Sequence, residues 1–166
     1  MLLVLMGVPG AGKTTLSKLL AKDLGFEFYD IDDHIPLKYK EKMRNNQILS
    51  EEERDDYMSD IIQDLKTISQ SKSIVTALVL FREKDRKKIV DTIPETYMFK
   101  LDATFEVLKN RLKNRKDHFF NEEILRKAFE KEEPILIDHF KINVNRSIEE
   151  IVNDIKQKVI DLKNYD

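Results

Sequence analysis

A three-layer α/β/α domain is what the sequence predicts, and three observations carry that expectation. Apolar segments of strand length alternate with longer segments of helical period. The strand-length segments are apolar throughout instead of alternating. The first of them runs directly into a glycine-rich loop with a helical segment behind it. Alternating strands and helices imply parallel pairing through right-handed crossovers. Strands that are apolar on both faces imply a sheet covered by helices on each side. A chain of 166 residues fits one domain, 1–166. That length suffices to bury about two thirds of the unfolded surface.

The elements read in order as follows. Leu2–Met6 is a buried strand. Thr14–Leu24 is a helix, with Leu16, Leu19, Leu20 and Leu24 on one face and Gly25 just past its end. Phe26–Tyr29 is the second strand. Ile35–Asn45 and Glu51–Ser69 read as helices, and Ser50 followed by Glu53 forms a capping-box pattern ahead of the latter. Ile74–Leu80 is a continuous apolar run and reads as a central strand. Glu83–Val90 is helical, Tyr97–Leu101 a strand, Thr104–Lys113 a helix, and Glu122–Lys131 a helix ahead of Pro134. A last strand, Phe140–Val144, precedes a helix over Ser147–Leu162. In such a sheet, ligands bind beyond the carboxyl ends of the strands.

Composition narrows the class of partner. There are 29 basic and 31 acidic residues, a net charge of −2. No strong field draws the chain to nucleic acid or to an anionic membrane, and neither is expected as a partner. There is no cysteine, hence no disulfide framework and no thiolate metal site. The opening apolar run is too short for a signal peptide, and no apolar stretch approaches the roughly 20 residues that cross a bilayer. The expectation is a soluble protein of the cytoplasm. Oligomeric state stays open, with a homodimer among the options.

Gly7-Val8-Pro9-Gly10-Ala11-Gly12-Lys13-Thr14 matches G-x-x-x-x-G-K-[ST]. Three of the four glycines in the chain lie in this loop. Gly7 and Gly12 let the backbone wrap phosphate closely. The amides of Gly10, Ala11, Gly12, Lys13 and Thr14 form an anion nest, reinforced by the helix N-terminus behind it. Lys13 supplies a point charge to the β- and γ-phosphates, and the Thr14 hydroxyl is placed to ligate Mg²⁺. Thr15 either contacts the α-phosphate or is an ordinary first-turn threonine. ATP and magnesium are the cofactors this loop implies.

Tyr29-Asp30-Ile31-Asp32-Asp33-His34 leaves the second strand at its carboxyl end. Phosphoryl transfer to an alcohol needs a carboxylate to orient the hydroxyl and accept its proton. An acidic group must also hold the water shell of the magnesium. Two carboxylates spaced two apart can divide these tasks, with Asp30 at the metal and Asp32 at the hydroxyl. The competing reading is a solvated acidic turn or helix cap. His34 reads as a surface histidine.

Arg111-Leu112-Lys113-Asn114-Arg115-Lys116-Asp117-His118-Phe119-Phe120 is the second dense signal, and 113–121 reads as a short lid. Arg111 and Arg115 are four apart and share one helical face. Arginines there can stack on adenine and clamp a transferring phosphate; the competing reading is a solvated basic face. Phe119 and Phe120 are either lid anchors or core residues.

These residues together resemble the shikimate and gluconate kinases of the nucleoside-monophosphate-kinase-like group. The phosphate loop, the D-x-D after the second strand and the R-L-x-x-R lid carry the resemblance. The gluconate kinases are nearer, because Arg111–Phe120 resembles their R-L-x-x-R-x-x-H-F segment. Lys42-Met43, Leu49 and Arg54 fall where that family has K-M and P-L-x-x-x-D-R, and Phe129 and Glu133-Pro134 resemble its later F and E-P. The similarity covers most of the chain up to Pro134. It implies a five-stranded parallel P-loop NTPase sheet of order 2-3-1-4-5, ATP as donor, and a polyol or sugar acid as acceptor. In departure from that family, Ile35 stands at a histidine position, Tyr39 at an asparagine position, and Val79 where S-A-L-K places a lysine. Arg82 and Lys84 are candidates to replace that lysine. The shikimate kinases' glycine triplet is absent.

The expected activity is transfer of the γ-phosphoryl group of ATP to a small, anionic hydroxyl acceptor, with gluconate as the first candidate. Lys13, Asp32 and Arg115 are the expected catalytic residues. Asp32 and Arg54 are expected to hold the acceptor, Arg54 at its anionic end. Arg111 belongs to the nucleotide site. One rival is a nucleoside or nucleotide kinase of the same fold; the other is a nucleotide-dependent switch protein, which needs no acceptor pocket.

Overall fold

Five consecutive apolar residues, Leu2–Met6, form the central strand β1 and are all buried. The two sheet faces explain why none is polar. Leu3 and Leu5 enter one core, while Leu2, Val4 and Met6 enter the other. Successive strand side chains point to opposite faces, so a strand between two helical layers has no outward position to give to a polar residue. This computed structural model describes residues 1–45, 49–113 and 122–165.

The remaining elements follow as α1 (Lys13–Leu24), β2 (Glu27–Tyr29), α2 (Ile31–His34), α3 (Leu37–Arg44), α4 (Glu51–Ser69), β3 (Ile74–Leu78), α5 (Glu83–Thr92), β4 (Thr96–Asp102), α6 (Phe105–Lys113), α7 (Glu122–Lys131), β5 (Phe140–Asn143) and α8 (Ile148–Tyr165). The sheet has five strands in the order β2-β3-β1-β4-β5, parallel at every pairing. Helices α1, α6, α7 and α8 bury Leu16, Leu20, Leu108, Leu125 and Ile155 on one face. On the other face α3, α4 and α5 bury Tyr39, Ile61, Ile62, Leu65 and Ile89. The three expected layers and the expected strand order are present.

Local chemistry sets the element ends. Ser50 caps α4: its hydroxyl accepts from the Glu53 amide at 3.1 Å, and the Glu53 carboxylate accepts from the Ser50 amide at 3.0 Å. Gly25 closes α1 with φ 69°, a left-handed conformation that favours glycine. The structure departs from the expected helix over Ile35–Asn45. A one-turn α2 comes first, and α3 begins only at Leu37. Pro36 is the cause, because the residue before a proline is driven out of the helical region; Ile35 has ψ 122°. Strand β3 ends at Leu78, short of the expected Leu80. Its partner Met6 is the last residue of β1, and beyond that register the neighbouring backbone turns into the glycine loop.

Leu5 sits at the centre of this arrangement, fully buried between Ala77 and Phe99. Leu5→Ala is expected to lower unfolding free energy by about 2–5 kcal/mol, the usual range for a buried leucine that leaves a cavity. Urea denaturation checks this, and an unchanged midpoint would contradict the central placement of β1.

Candidate active site

The loop between β1 and α1 holds Gly7, Gly10 and Gly12 at φ 154°, 86° and 92°. Gly12 is the N-cap of α1 and uses its left-handed φ to turn the following amides into the helix. Gly10 has φ 86°, which strains any L side chain, and an added Cβ would lie 3.1 Å from the Leu112 side chain of α6, which would have to shift to admit it. The Lys13 ammonium donates to the Val8 carbonyl at 3.0 Å, curling over the nest that its own loop forms. Burial lowers its pKa to about 8; the charge of Lys100 adds to that effect, and Glu132 opposes it.

Two clefts meet at this loop. The first, of about 570 Å³, is lined by Lys13, Thr14, Asp30, Asp32 and Arg54. Those residues come from the loop, from the end of β2 and from the first turn of α4, and the fold brings them to one cavity. Asp30 is the N-cap of α2, its carboxylate accepting the Asp32 amide at 3.2 Å and lying 3.8 Å from the Lys18 ammonium. The Thr76 hydroxyl donates to the Tyr29 carbonyl at 3.0 Å, anchoring the strand end from which both aspartates project. Burial, and after it the charge of Asp32, push the Tyr57 phenol above its ordinary pKa; Tyr57 lines the same cleft.

The second cleft, of about 440 Å³, is lined by Gly10, Ala11, Gly12, Thr15 and Arg111. Arg111 donates to the Val144 carbonyl, which ties α6 to the end of β5. Arg115, Phe119, Phe120 and the rest of the expected lid after Lys113 lie outside the described residues.

The structure places the residues at which the sequence departs from the family pattern, and adds two ion pairs, Lys100–Glu132 and Arg146–Asp154, that sequence reasoning missed. Arg82 lines the first cleft, but it is held by Asp85 at 2.7 Å and by Glu51 and Asp55 at 2.8 Å each. Lys84 pairs with Asp55 at 3.0 Å. Of the two candidates to replace the family lysine, only Arg82 lines the first cleft, and it is already engaged by carboxylates. Val79 stands in the cleft wall, 45% exposed. Ile35 also lines the cleft, whereas Tyr39 is in the core at 1% exposure, edge-on to Tyr57. Lys100 in β4 and Glu132 after α7 form a largely buried ion pair behind Lys13. The one available signal for it was a lone lysine inside Met98-Phe99-Lys100-Leu101. In the second cleft Arg146 is held by Asp154 at 2.7 Å.

A lowered lysine pKa gives a pH dependence with a definite sign. Below about pH 8 Lys13 is charged in the free protein; above it the ammonium is lost before any phosphate arrives. Nucleotide affinity is therefore expected to fall as pH rises past about 8, by up to tenfold per pH unit. Calorimetric titrations at pH 8.5 in buffers of different ionisation enthalpy should show proton uptake on binding. Equal heats in all buffers would contradict the assignment.

A glycine nest with an invading lysine, at the carboxyl edge of a parallel sheet and between two clefts, defines a P-loop phosphotransferase. The comparisons with known proteins agree. The family model described as shikimate kinase matches residues 9–160, and the chain belongs to that family. Among curated relatives, a gluconokinase of Arabidopsis thaliana is 31% identical over 98% of this chain and 94% of its own. A probable gluconokinase of Xenopus tropicalis is 30% identical over 96% and 93%. Among solved structures, a gluconokinase from Sinorhizobium meliloti 1021 superposes with TM-score 0.80 at 23% identity, covering 92% of this chain and 87% of its own. The shikimate kinase of Aquifex aeolicus gives TM-score 0.57 at 21% identity, with 98% of each chain covered. These two share the fold. Membership makes the protein a phosphotransferase that acts on a hydroxyl group, with ATP as donor. Among the described residues, no helix is long and apolar enough to cross a membrane.

Proposed function

We propose that residues 1–166 act as one ATP-dependent kinase domain that phosphorylates a sugar acid or similar polyhydroxy acid, with 113–121 as its lid. The observation that carries this reading is the single cleft lined by Lys13, Thr14, Asp30, Asp32 and Arg54. Asp32 orients the acceptor hydroxyl and takes its proton. Arg54 binds the anionic end of the acceptor through its fork of donors. Arg111 and Thr15 serve the nucleotide from the second cleft, and Arg115 neutralises charge on the transferring group.

The residues present fit a magnesium ion. Thr14 is an exposed residue in the first turn of α1, and it lines the same cleft as Asp30. Among the described residues no group of three or more His, Cys, Asp or Glu forms a cage. That suits a cation which keeps much of its water and is bound through one or two protein groups plus phosphate oxygens. Thr14 would hold it directly and Asp30 through its water shell, and when bound it would offset charge on the β- and γ-phosphates.

The reading is tested by ADP formation in a coupled assay over sugar acids, polyols, shikimate and nucleosides, with gluconate as the reference acceptor. Stimulation by sugar acids is the expected result. Turnover with nucleosides alone would favour a nucleoside kinase. ATP use indifferent to every small molecule would favour a switch protein, a reading that the open acceptor cleft opposes.

A further inference from the structure

Among the described residues four cations line the acceptor cleft: Lys13, Arg54, Arg82 and Lys131. Arg82 is neutralised by Asp85, Glu51 and Asp55. Lys13 belongs to the phosphate loop. Arg54 and Lys131 remain: among the described residues neither side chain forms an ion pair within salt-bridge distance, although the Glu51 carboxylate, which is held by Arg82, also feels the charge of Arg54. The acids in the same cleft do not answer them. Asp85 sits in the fork of Arg82, and Asp30 and Asp32 are taken by the metal and the hydroxyl in the mechanism above.

The two spare cations stand on separate elements. Arg54 is in the first turn of α4, and Lys131 is the last residue of α7. The backbone that carries Lys131 is stapled to the cleft floor. The Glu133 amide donates to the Phe81 carbonyl at 2.8 Å. Arg86, at 0% exposure, donates to the carbonyls of Glu133 at 2.9 Å and Pro134 at 3.2 Å, and Glu132 is paired with Lys100. One guanidinium fork satisfies one carboxylate. Lys131 is exposed at the cleft, so it is free to meet a second anion of the acceptor from another wall, and an ammonium, being a point charge, takes carboxylate or phosphate alike.

We propose that Lys131 is a second anion-recognising residue of the acceptor site, and that the preferred acceptor is a polyhydroxy acid bearing two anionic groups, one held by Arg54 and the other by Lys131. The inference rests on the sugar-acid kinase reading and narrows it. The transfer itself is unchanged. An acceptor hydroxyl oxygen bonds to the γ-phosphorus as the bond from that phosphorus to the β,γ-bridging oxygen breaks, ADP leaves, and the hydroxyl proton passes to Asp32.

The test is steady-state kinetics with ATP and three acceptors: D-gluconate with one anionic group, D-glucarate with two carboxylates, and 6-phosphogluconate with a carboxylate and a phosphate. The wild-type protein is expected to favour at least one dianion over gluconate in kcat/KM by about tenfold or more, the size of one charged contact. Which dianion is favoured tells carboxylate from phosphate. Lys131→Ala should reduce that ratio about tenfold through acceptor KM, and Lys131→Arg should restore most of it. Thermal melts keep misfolding from mimicking the result, since a kinetic ratio taken on one folded variant is independent of its active fraction. The proposal is overturned if the wild-type protein favours gluconate, if Lys131→Ala lowers all three acids by the same factor, or if the loss appears in ATP KM. Any of these with sugar acids still turned over overturns this proposal alone. No turnover with any acid overturns the parent reading as well.

Discussion

Lys13→Ala is expected to reduce kcat by at least about 10²-fold, the effect of removing one preorganised charge from a phosphoryl-transfer site, while leaving the fold intact. Among the described residues the Lys13 ammonium donates to the Val8 carbonyl and pairs with no carboxylate. Its pKa near 8 lies below the ordinary 10.5, which means the folded surroundings disfavour its charge. The sign follows from linkage. A lysine whose pKa is lower folded than unfolded opposes folding wherever both states are protonated, so below about pH 8 its removal should leave stability unchanged or raised. The measurement pairs kcat at saturating substrates with a thermal melt at pH 7. Full activity in the variant would remove the phosphate loop from the mechanism; a lower melting temperature would mean that Lys13 holds the loop together.

Asp32→Asn is expected to lower kcat by about 10²- to 10⁴-fold, the usual contribution of a positioned general base, with a smaller effect on ATP affinity. Asp30→Asn should act differently, by weakening magnesium dependence and ATP binding. The geometry separates the two residues. Asp30 caps α2 through the Asp32 amide, beside the phosphate-loop helix through Lys18. Asp32 lies one step out, exposed, with its charge near Tyr57. Because Asp30 is also a cap, its replacement by Asn, itself a good N-cap residue, tests charge without removing the cap. Apparent magnesium affinity and kcat are measured side by side. Full kcat in Asp32→Asn together with a loss in Asp30→Asn would reverse the roles. If neither changes, the acidic turn is a solvated cap.

Local signals in the chain were legible where contiguous residues make the structure. The strand Leu2–Met6, the helix Glu51–Ser69 with its Ser50–Glu53 box, and the helix Glu122–Lys131 lie where periodicity and capping place them. The helix expected from Ile35 begins instead at Leu37, because Pro36 overrides the apolar pattern and holds Ile35 out of the helical region. The site was half legible. Asp30, Asp32 and Arg54 were singled out and share the first cleft. The Lys100–Glu132 pair, the Arg86 staple and the Arg146–Asp154 pair were not, because each lysine or arginine in them reads in sequence as one more charge in a chain that is 36% charged.

The sequence by itself determined the phosphate chemistry. An anion nest is built from the backbone amides of one short run, with a strand before it and a helix behind, so the whole device lies within Gly7–Thr14 and needs no distant partner. Only the tertiary structure decided the acceptor side. That cleft is assembled from the end of β2, the first turn of α4, the exit of β3 and the last residue of α7. Residues as remote in sequence as Asp30 and Lys131 face one cavity because β3 pairs between β2 and β1 while β4 lies on the far side of β1. Which charges are spent on each other there, as Arg82 is on Asp85, is a property of distances in space that spacing along the chain does not encode.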